Sequence, residues 1–383
     1  MRAVRACRRA SHTPVHIDSV DLRRLRLPLV RPFETSFGRT DEREFLLVRV
    51  RGEGEVGWGE CVADELPYYS AETTVTAWHV LERYLVPRLL GRRLAHPRDV
   101  LPALADVRGH RMAKAALEMA AWDLHARQQG RPLWRELGGV RAAIPCGVSV
   151  GIQPSLEALA DRVAEERAAG YQRVKIKIKP GWDRAPVALL RERFADLPLM
   201  VDANAAYTLE QADDLRALDG HGLLLIEQPL DEEDIGEHAA LQARLQTPLC
   251  LDESIVSARR AREALAIGAC RIVNIKPGRV GGHAEAVAVH DACAEAGVPV
   301  WHGGMLESGV GRAHNVHLAS LPNFSLPGDI AASRRYFEPD LVEPPFVVSR
   351  DGLMQVPQEP GIGVTIVADR VARATRDALT LDA

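Results

Sequence analysis

The sequence predicts an α/β fold, a TIM-type (β/α)7β barrel accompanied by a smaller α+β domain. Two observations lead to this prediction. Upstream, three β-rich runs between residues 17 and 63 have the character of an antiparallel sheet. In the middle of the chain, five strand-like runs end near a charged residue, at spacings of 25, 25, 25 and 24 residues; these residues are Lys177, Asp202, Glu227, Asp252 and Lys276.

The barrel follows from the spacing and the composition of these runs. A strand, a helix and the next strand within about 25 residues make the βα unit of a parallel barrel. Parallel strands are buried on both faces and become continuous apolar runs, as in LLLIE and RIVNI. A leucine-type repeat of similar period would not contain the helical segments LEQADDLRAL and ARRAREALAIGA. Because strand ends face the mouth of a barrel, we expect the five charges to converge there.

The chain divides into four segments. Residues 1–16 are basic, lack the apolar stretch of a secretory signal and are predicted to form a loose N-terminal extension. Residues 17–140 are predicted to form the α+β domain, and residues 141–330 the barrel, from the strand IPCGVSVG to NFSLPGDI. Residues 331–383 are predicted to return to the α+β domain and to end in a helix near 369–380.

Within the α+β domain, the last two of the three strands are predicted to form a hairpin around residues 52–54, GEG. The polar stretch 31–42 lies between the first two strands. Its two phenylalanines make it either a lid over a pocket or an ordinary surface connection. Helical patterns occupy residues 71–92 and 111–128.

Composition excludes several classes of partner. The 48 basic and 52 acidic residues give a net charge of −4, so we expect no nucleic-acid partner. No run approaches the roughly 20 apolar residues of a membrane span, so no membrane partner is expected either. The six cysteines are scattered without CxxC spacing, which is typical of a reducing cytoplasm. We expect a cytoplasmic homo-oligomer that acts on a small-molecule carboxylate.

The three acids at strand ends are candidate metal ligands. Asp202, Glu227 and Asp252 each precede a predicted helix, so capping of that helix is the alternative. The helix after Asp202, however, has its own capping box in Thr208 and Gln211. Three acids together in a barrel mouth would repel one another unless a hard cation held them, which favours Mg²⁺, with Mn²⁺ or another divalent cation as alternatives.

The lysines flank these acids in the strand order. Lys175, Lys177 and Lys179 alternate with apolar residues, a pattern also typical of a half-exposed antiparallel strand. A parallel barrel strand has no solvated face, so one or two of them are expected to point into the mouth, opposite Lys276. A single barrel lysine is also typical of Schiff-base enzymes, but such an enzyme has no need of a three-carboxylate metal site.

Histidines at the next strand provide an alternative base. His302 ends that strand, and His290, His314 and His317 lie nearby in sequence. Each of these histidines can instead have a structural role.

Substrate contacts are predicted around the barrel mouth. The glycine-rich stretch 303–312, GGMLESGVGR, precedes a helical segment and is suited to binding an anion. Within it, Met305, Glu307 and Ser308 are candidate substrate-binding residues, as is Ser149 on the first barrel strand. Specificity is also expected to depend on residues 31–40 and 68–70.

A divalent cation between two lysines is suited to removing a proton from the carbon next to a carboxylate. The cation would stabilise the enediolate that forms, and a positioned lysine would accept the proton, a step that by itself gives about 10²–10⁴-fold. A second lysine on the other face could return a proton with inversion, or assist while a β-leaving group departs.

The residues also resemble a known family. The series of charged residues at strand ends, which we call the ladder, is similar to that of the muconate lactonizing enzyme subgroup of the enolase superfamily. Within this subgroup it is most similar to the o-succinylbenzoate synthase/N-succinylamino acid racemase family. The resemblance spans almost the whole chain, with residues 17–140 and 331–383 resembling the α+β capping domain. It depends on KIKPGWD at 177–183, DAN at 202–204, EQP at 227–229, DES at 252–254, NIKPGRVGG at 274–282, GGMLESGVGRAHN at 303–315 and LPGDI at 326–330.

The resemblance implies Lys177 and Lys276 as the acid/base pair. It implies Asp202, Glu227 and Asp252 as magnesium ligands, with Lys175 and Asn204 as supporting groups that bind the substrate. Members of the family dehydrate 2-succinyl-6-hydroxy-2,4-cyclohexadiene-1-carboxylate in menaquinone synthesis, racemise N-acylamino acids, or do both. The departures at Lys179 and His302 concern substrate preference. A muconate-type cycloisomerase, a dipeptide epimerase and a non-catalytic metal-stabilised barrel are the alternatives.

Overall fold

The computed structural model describes residues 14–383, so most of the predicted 1–16 extension lies outside the described residues. The N-terminal region is an antiparallel sheet packed against helices, as predicted. Its strands are β1 (Val15–His16), β2 (Ser19–Glu34), β3 (Arg39–Gly52), β4 (Glu55–Cys61) and β5 (Arg93–Leu94), and its helices are α1 (Thr74–Val80), α2 (Val100–Ala103), α3 (Arg111–Gln128) and α4 (Leu133–Leu137). A π-helical turn, Leu81–Leu85, and a 3-10 turn, Val86–Arg88, continue α1.

The predicted hairpin at residues 52–54 is confirmed. Strands β3 and β4 pair from Gly52 with Glu55 onward. The two residues between them, Glu53 and Gly54, have φ angles of 51° and 85°. A two-residue turn with positive φ at both positions matches the twist of antiparallel strands, and glycine adopts this conformation without a steric penalty.

The 31–42 stretch is not a loop, because most of it belongs to β2 and β3. The two strands are paired out to Glu34 with Arg39, which leaves a tip of only residues 35–38. The register is interrupted between Pro28 and Phe33, where the prolines remove backbone donors from the ladder. The result is a long hairpin that projects from the N-terminal sheet toward the barrel mouth.

The barrel is built as predicted. Strand β6 (Ala143–Pro145) leads into seven parallel strands that are hydrogen-bonded in chain order. These are β7 (Gly147–Val150), β8 (Arg173–Lys177), β9 (Leu199–Asp202), β10 (Ile226–Glu227), β11 (Leu249–Leu251), β12 (Ile272–Ile275) and β13 (Val300–His302). The helices between and after them are α5 (Leu156–Ala168), α6 (Arg184–Arg193), α7 (Ala212–Arg216), α8 (Ile235–Gln242), α9 (Ala258–Ala266), α10 (Pro277–Val280), α11 (His283–Glu295) and α12 (Gly309–Leu318).

An extended segment, 323–330, closes the barrel between its first and last strands. On one side Val300 pairs with Phe324, and on the other Cys146 pairs with Gly328, both in parallel. Backbone hydrogen bonds from Asp329 N to His302 O and from Gly147 N to Gly328 O complete the closure. The eighth barrel position is therefore occupied by NFSLPGDI, although only isolated bridges form there.

The predicted closing helix at 369–380 is wrong in its second half. After strands β14 (Val342–Glu343), β15 (Leu353–Gln355) and β16 (Thr365–Ile366), helix α13 spans only Ala368–Ala374, and β17 (Thr375–Asp382) follows directly. Strand β17 pairs antiparallel with β2 at the edge of the N-terminal sheet. The free edge of β2 provides backbone partners that the helical propensity of this segment does not outweigh.

Two large apolar cores correspond to the two units. One fills the space between the N-terminal sheet and α3, and Met305 from the barrel mouth joins it. The other surrounds the barrel strands and their helices. A separate cluster fills the barrel interior, with Met200, Leu225, Cys250, Ile272 and Trp301. Within residues 14–383 no helix is both long enough and apolar enough to cross a membrane.

Candidate active site

Barrel register brings the five predicted charges together at one end of the sheet. Lys177 pairs with Asp202 across β8 and β9, and Asp202 pairs with Glu227 across β9 and β10. Asp252 and Lys276 directly follow β11 and β12. All five side chains are buried, with at most 7% of the residue exposed. The strand-end ladder in the sequence is therefore a cluster in space.

None of the three acids caps the helix that follows it. The 3-10 turn Leu209–Gln211 is capped by Thr208, as predicted, and α9 is capped by Ser257. Helix α8 is capped by Asp234, whose carboxylate accepts a hydrogen bond from the Glu237 amide. The carboxylates of the ladder are therefore free of a capping role.

Lys175 lies at the centre of the acids. Its Nζ is 2.6 Å from Glu227 Oε2, 3.0 Å from Asp202 Oδ2 and 2.9 Å from Asp329 Oδ2. The same ammonium lies 4.8 Å from the centre of the Trp301 ring in the barrel interior. A buried cation with three carboxylate partners holds the ends of four barrel segments together.

Lys177 lies on one flank of the acids. Its Nζ donates to Asp202 Oδ2 and to Asn204 Oδ1, each at 2.6 Å. Asn204 in turn donates from its amide nitrogen to Glu253 Oε1 at 2.9 Å. Asn204 has a φ of 44°, a left-handed conformation that asparagine tolerates better than most residues, and its side chain is thereby directed at Lys177.

Lys276 lies on the opposite flank. Its Nζ is 2.6 Å from Asp252 Oδ2 and donates to the Tyr69 hydroxyl at 3.1 Å, with the Tyr69 ring centre 4.6 Å away. The Tyr69 hydroxyl also donates to Asp252 Oδ1 at 3.2 Å. Arg279 contacts the same carboxylate and donates to Asn274 O at 2.6 Å. The lysine is thus held between a barrel acid and a tyrosine of the N-terminal domain.

The electrostatics of the cluster follow from burial and close opposite charge. Burial raises the pKa of Asp202, but the ammonium groups of Lys175 and Lys177 outweigh it and hold that pKa well below its usual range. Burial and the Asp202 charge raise the pKa of Glu227. Burial also raises the pKa of Glu253 to about 7. The site therefore contains carboxyl groups of both low and high proton affinity within one dense network.

The two flanking lysines line one cavity of about 100 Å³ beneath the β2–β3 hairpin. Four of the predicted substrate-binding residues, Lys175, Asn204, Ser149 and Met305, line it as well. The hairpin contributes an aromatic and polar roof. The remaining lining residues are Phe33, Thr35, Phe37, Thr40, Asp64, Tyr69, Gly304, Leu306, Asp329 and Tyr336.

Glu307 and Ser308, also predicted as substrate-binding, do not line the cavity. Glu307 Oε2 accepts a hydrogen bond from Met305 N at 2.8 Å, which shapes the loop. Ser308 caps α12 by accepting from Val310 N, and its hydroxyl donates to the buried Glu60 at 2.5 Å. Both residues are buried, and their hydrogen bonds stabilise the loop at the barrel mouth. The positions of Glu307 and Ser308 therefore do not support the prediction that residues 303–312 bind an anion.

The candidate histidine bases lie outside the cavity. His302 is buried beside Phe324, and burial lowers its pKa to about 3, so its ring is neutral. His290 accepts from Asn323 N, and His317 accepts from Trp134 N. The remaining one, His314, is hydrogen-bonded within the domain interface, 2.7 Å from Trp58 O. These four histidines have structural positions.

Sequence reasoning missed Asp329, Arg279 and Glu253. Asp329 is buried and binds both Lys175 and Arg173. It lies at the end of the eighth barrel segment, as the other charges lie at or next to the ends of their strands, so the strand-end rule itself would have found it. Arg279 lies three residues after Lys276, and only the structure shows that the intervening helix α10 turns it back onto Asp252.

The donor set fits a hard divalent cation. Asp202, Glu227 and Asp252 offer only oxygen atoms, from adjacent strands and out of contact with solvent. Glu253 Oε2 is also buried and has no hydrogen-bond partner among the described residues. Among residues 14–383, no three or more acids, histidines or cysteines are arranged so that they could hold a metal ion. Asp202 instead pairs with Lys175, and Asp252 pairs with Lys276.

Comparisons with known proteins were consistent with this site. The N-terminal domain model of mandelate racemase/muconate lactonizing enzymes matches residues 19–138, and the enolase C-terminal domain-like model matches residues 158–370. An N-succinylamino acid racemase of an Amycolatopsis species is 54% identical over 360 residues, covering 94% of this chain and 97% of the relative. An o-succinylbenzoate synthase of Geobacillus kaustophilus is 52% identical over 363 residues, covering 94% and 96%.

Solved structures of enolase-superfamily proteins have the same overall fold as this chain. An enolase-superfamily member from Listeria innocua superposes with a TM-score of 0.92 at 39% identity, covering 96% of this chain and 99% of that one. More distant matches include a dipeptide epimerase of Cytophaga hutchinsonii, solved with Mg and a dipeptide, at 25% identity and a TM-score of 0.89, covering 96% and 100%. A muconate cycloisomerase of Rhodococcus opacus is 29% identical over 375 residues, covering 95% of this chain and 100% of that relative.

Proposed function

This chain belongs to the enolase superfamily, in the o-succinylbenzoate synthase/N-succinylamino acid racemase family, and from that membership we propose how its own residues carry out the family's chemistry. The reaction is abstraction of the proton next to a substrate carboxylate. The observation that supports this assignment is the pair Lys177 and Lys276, which line one cavity from opposite flanks of three buried carboxylates.

Asp202, Glu227 and Asp252 would hold Mg²⁺ or a related divalent cation. When bound, such a cation supplies positive charge that stabilises an enediolate formed from the substrate carboxylate. The buried oxygen donors and the unpartnered Glu253 Oε2 support this assignment.

In the proposed mechanism, Lys177 and Lys276 act from opposite faces of the α-carbon. A lysine that accepts the proton must start as the neutral amine, while its counterpart starts as the ammonium. Proton transfer to one lysine and from the other inverts the centre, which is racemisation. When the substrate has a β-hydroxyl group, that group can leave after abstraction by taking a proton from a lysine ammonium of the site and departing as water, which gives dehydration.

The hairpin over the cavity excludes water from the reacting carbon. Phe33 from β2 and Thr35 and Phe37 from the hairpin tip line the cavity. Tyr69, Met305 and Leu306 complete the apolar wall. Shielding by these side chains strengthens the electrostatic interactions inside the cavity.

We propose two substrate classes on the basis of the relatives. One is the dehydration of 2-succinyl-6-hydroxy-2,4-cyclohexadiene-1-carboxylate in menaquinone synthesis, and the other is racemisation of N-succinyl or other N-acylamino acids. A cytoplasmic homo-oligomer is also proposed. The five described cysteines are buried and unpaired, which supports a reducing compartment.

The test is proton exchange at the α-carbon in D₂O. Protein with Mg²⁺ is incubated with N-succinyl amino acids while deuterium incorporation and chirality are followed, and dehydration is assayed on the same preparations. We expect Lys177→Ala and Lys276→Ala each to abolish racemisation and dehydration. Lys179→Ala is the matched control, because Lys179 follows the same strand but does not line the cavity.

Two further outcomes are informative. Treatment with a chelator should stop both reactions, and Mg²⁺ should restore them. If the wild-type protein neither exchanges the α-proton of any N-succinyl amino acid nor dehydrates the cyclohexadiene carboxylate, the proposal is wrong, and dipeptides and muconate become the next substrates to assay.

A further inference from the structure

A second cavity, larger than the first, lies directly beside the proposed active site. Its volume is about 390 Å³, and we call it the arginine cavity because four arginines line it. It is bounded by the β2–β3 hairpin, the loop after β7, helix α5 and the segment around residue 335. Its lining residues are Arg31, Pro32, Phe33, Glu34, Arg39, Val150, Gly151, Ile152, Gln153, Pro154, Arg162, Arg335 and Tyr336.

The two cavities share a wall. Phe33 and Tyr336 line both of them. On β7, Ser149 lines the active-site cavity while the next residue, Val150, lines the arginine cavity. The arginine cavity therefore adjoins the active-site cavity at Phe33 and Tyr336.

The innermost arginine is built into this wall. The Arg335 side chain is 9% exposed, and its guanidinium donates to Ser149 O at 2.6 Å and pairs with Glu166 at 2.9 Å. Its buried Nε has no hydrogen-bond partner among the described residues. The guanidinium is therefore anchored from behind, directly next to the active-site strand.

Two outer arginines are held only loosely. Arg31 pairs with Glu165, and Arg39 pairs with Asp41, in ion pairs whose four side chains are each 57–60% exposed. Exposed pairs of this kind contribute little and exchange partners readily. Each guanidinium carries five donors, so a carboxylate can be bound without breaking every existing contact.

Each of the four lining arginines pairs with an acid: Arg31 and Arg162 with Glu165, Arg335 with Glu166, and Arg39 with Asp41. The lysines of the active-site cavity are held in buried pairs at 3.0 Å or less, whereas the pairs of Arg31 and Arg39 are exposed and can give way to an incoming carboxylate. Glu34 is the only acid among the described lining residues of the arginine cavity. A second carboxylate on the substrate is therefore bound most readily by Arg31 and Arg39, whose planar guanidinium groups suit bidentate binding.

We propose that the arginine cavity binds the distal carboxylate of the substrate's succinyl group. This inference rests on the proposed function, because both substrates proposed there have a succinyl arm that ends in a carboxylate away from the reacting carbon. The same cavity then explains how one site accepts a cyclic diene and an acylated amino acid, since the arm they share is what it recognises.

The test compares a charged arm with a neutral one of the same length. Racemisation of N-succinyl-phenylalanine and of its terminal amide, N-succinamoyl-phenylalanine, is measured for the wild type and for Arg31→Gln, Arg39→Gln and the double variant. We expect the kcat/KM preference for the charged arm to fall about tenfold or more in the double variant, mainly through KM. Activity on the amide should stay within about twofold of the wild type.

Two further variants test whether the preference for the charged arm depends on the charge of the cavity lining. Glu34→Gln removes the only acid of the cavity lining and is expected to raise the preference for the charged arm several-fold. Arg216→Gln is the matched control, because Arg216 is exposed, pairs with Asp213 and lies outside both cavities. Melting temperatures of all variants show whether they are folded.

The possible outcomes distinguish failure of the proposed subsite from failure of the proposed function. Unchanged preference in both the double variant and Glu34→Gln, with turnover intact, overturns the subsite alone. Absence of turnover on every N-acyl substrate and on the cyclohexadiene carboxylate overturns the proposed function, and calorimetric titration of N-succinyl-phenylalanine then decides the subsite. Binding that is weakened by the double variant supports the subsite, and binding that is absent or unaffected rejects it.

Discussion

Tyr69→Phe should slow catalysis on one face of the substrate only. The substitution removes a hydroxyl that receives a hydrogen bond from Lys276 at 3.1 Å and donates one to Asp252 at 3.2 Å. The phenylalanine ring retains the packing position and the cation–π contact with the ammonium, whose distance to the ring centre is 4.6 Å. Lys177 makes no contact with this tyrosine and keeps its hydrogen bonds to Asp202 and Asn204.

The magnitude follows from the type of bond lost. A hydrogen bond to a charged group is worth about 1.5–3 kcal/mol, which corresponds to roughly 10–150-fold in rate if the bond orients Lys276 in the transition state. The assay is solvent deuterium exchange measured separately from each enantiomer of an N-succinyl amino acid. We expect exchange from the enantiomer whose α-proton faces Lys276 to fall by this factor, while the other enantiomer exchanges at nearly the wild-type rate.

Tyr68→Phe is the matched control. Tyr68 is the neighbouring residue, is 59% exposed, and does not line the active-site cavity. Equal slowing of both enantiomers by Tyr69→Phe would refute the reasoning, since the hydroxyl would then support the whole site rather than one lysine. A similar effect of Tyr68→Phe would refute it as well.

Two further predictions concern stability. Lys175→Met leaves three buried carboxylates without their common cation and should lower the free energy of unfolding by about 3–5 kcal/mol in urea titrations; a loss of about 1 kcal/mol, as for an exposed pair, would contradict the central role of Lys175. Burial raises the pKa of Glu60 and of Glu118 from 4.5 to about 7, so the folded state binds more protons than the unfolded state. The stabilisation that each protonated carboxyl gives the folded state is fully present below pH 4.5 and is lost as the pH rises through about 7, by up to about 3 kcal/mol for each residue. Gln variants of Glu60 and Glu118 should flatten that part of the pH profile of stability.

Much of the site could be predicted because strand ends in a parallel barrel are tied to the sequence. A charge at the C-terminal end of each strand must lie at the barrel mouth, whatever the conformation of the loops. For this reason Lys177, Asp202, Glu227, Asp252 and Lys276 were found by counting residues. Asp329 obeys the same rule but escaped, because its segment contains a Pro-Gly pair and resembles a loop.

Residues that reach the site from other elements could not be found in this way. Tyr69 comes from the N-terminal domain, 207 positions before the lysine it contacts. Ser308 and Glu307 looked like cavity residues, but the buried Glu60 of β4 engages Ser308, and the loop turns Glu307 back onto its own backbone. Long-range contacts of this kind leave no periodic signal in the sequence.

The C-terminal tail shows the same limit. Residues 375–382 contain helix-forming residues, which led to the prediction of a helix, although the alternation of Leu379 and Leu381 also suits a strand. The open edge of β2 decided between the two by pairing with β17.

The barrel, the two flanking lysines and the three acids between them could be read from residue spacing, because these features depend on one repeating unit of the chain. The partner of each charge, the side chains of the cavity roof and the adjoining arginine cavity became visible only in the folded molecule. Those features depend on contacts between segments far apart in the chain, where packing and electrostatics, rather than spacing, select the neighbours.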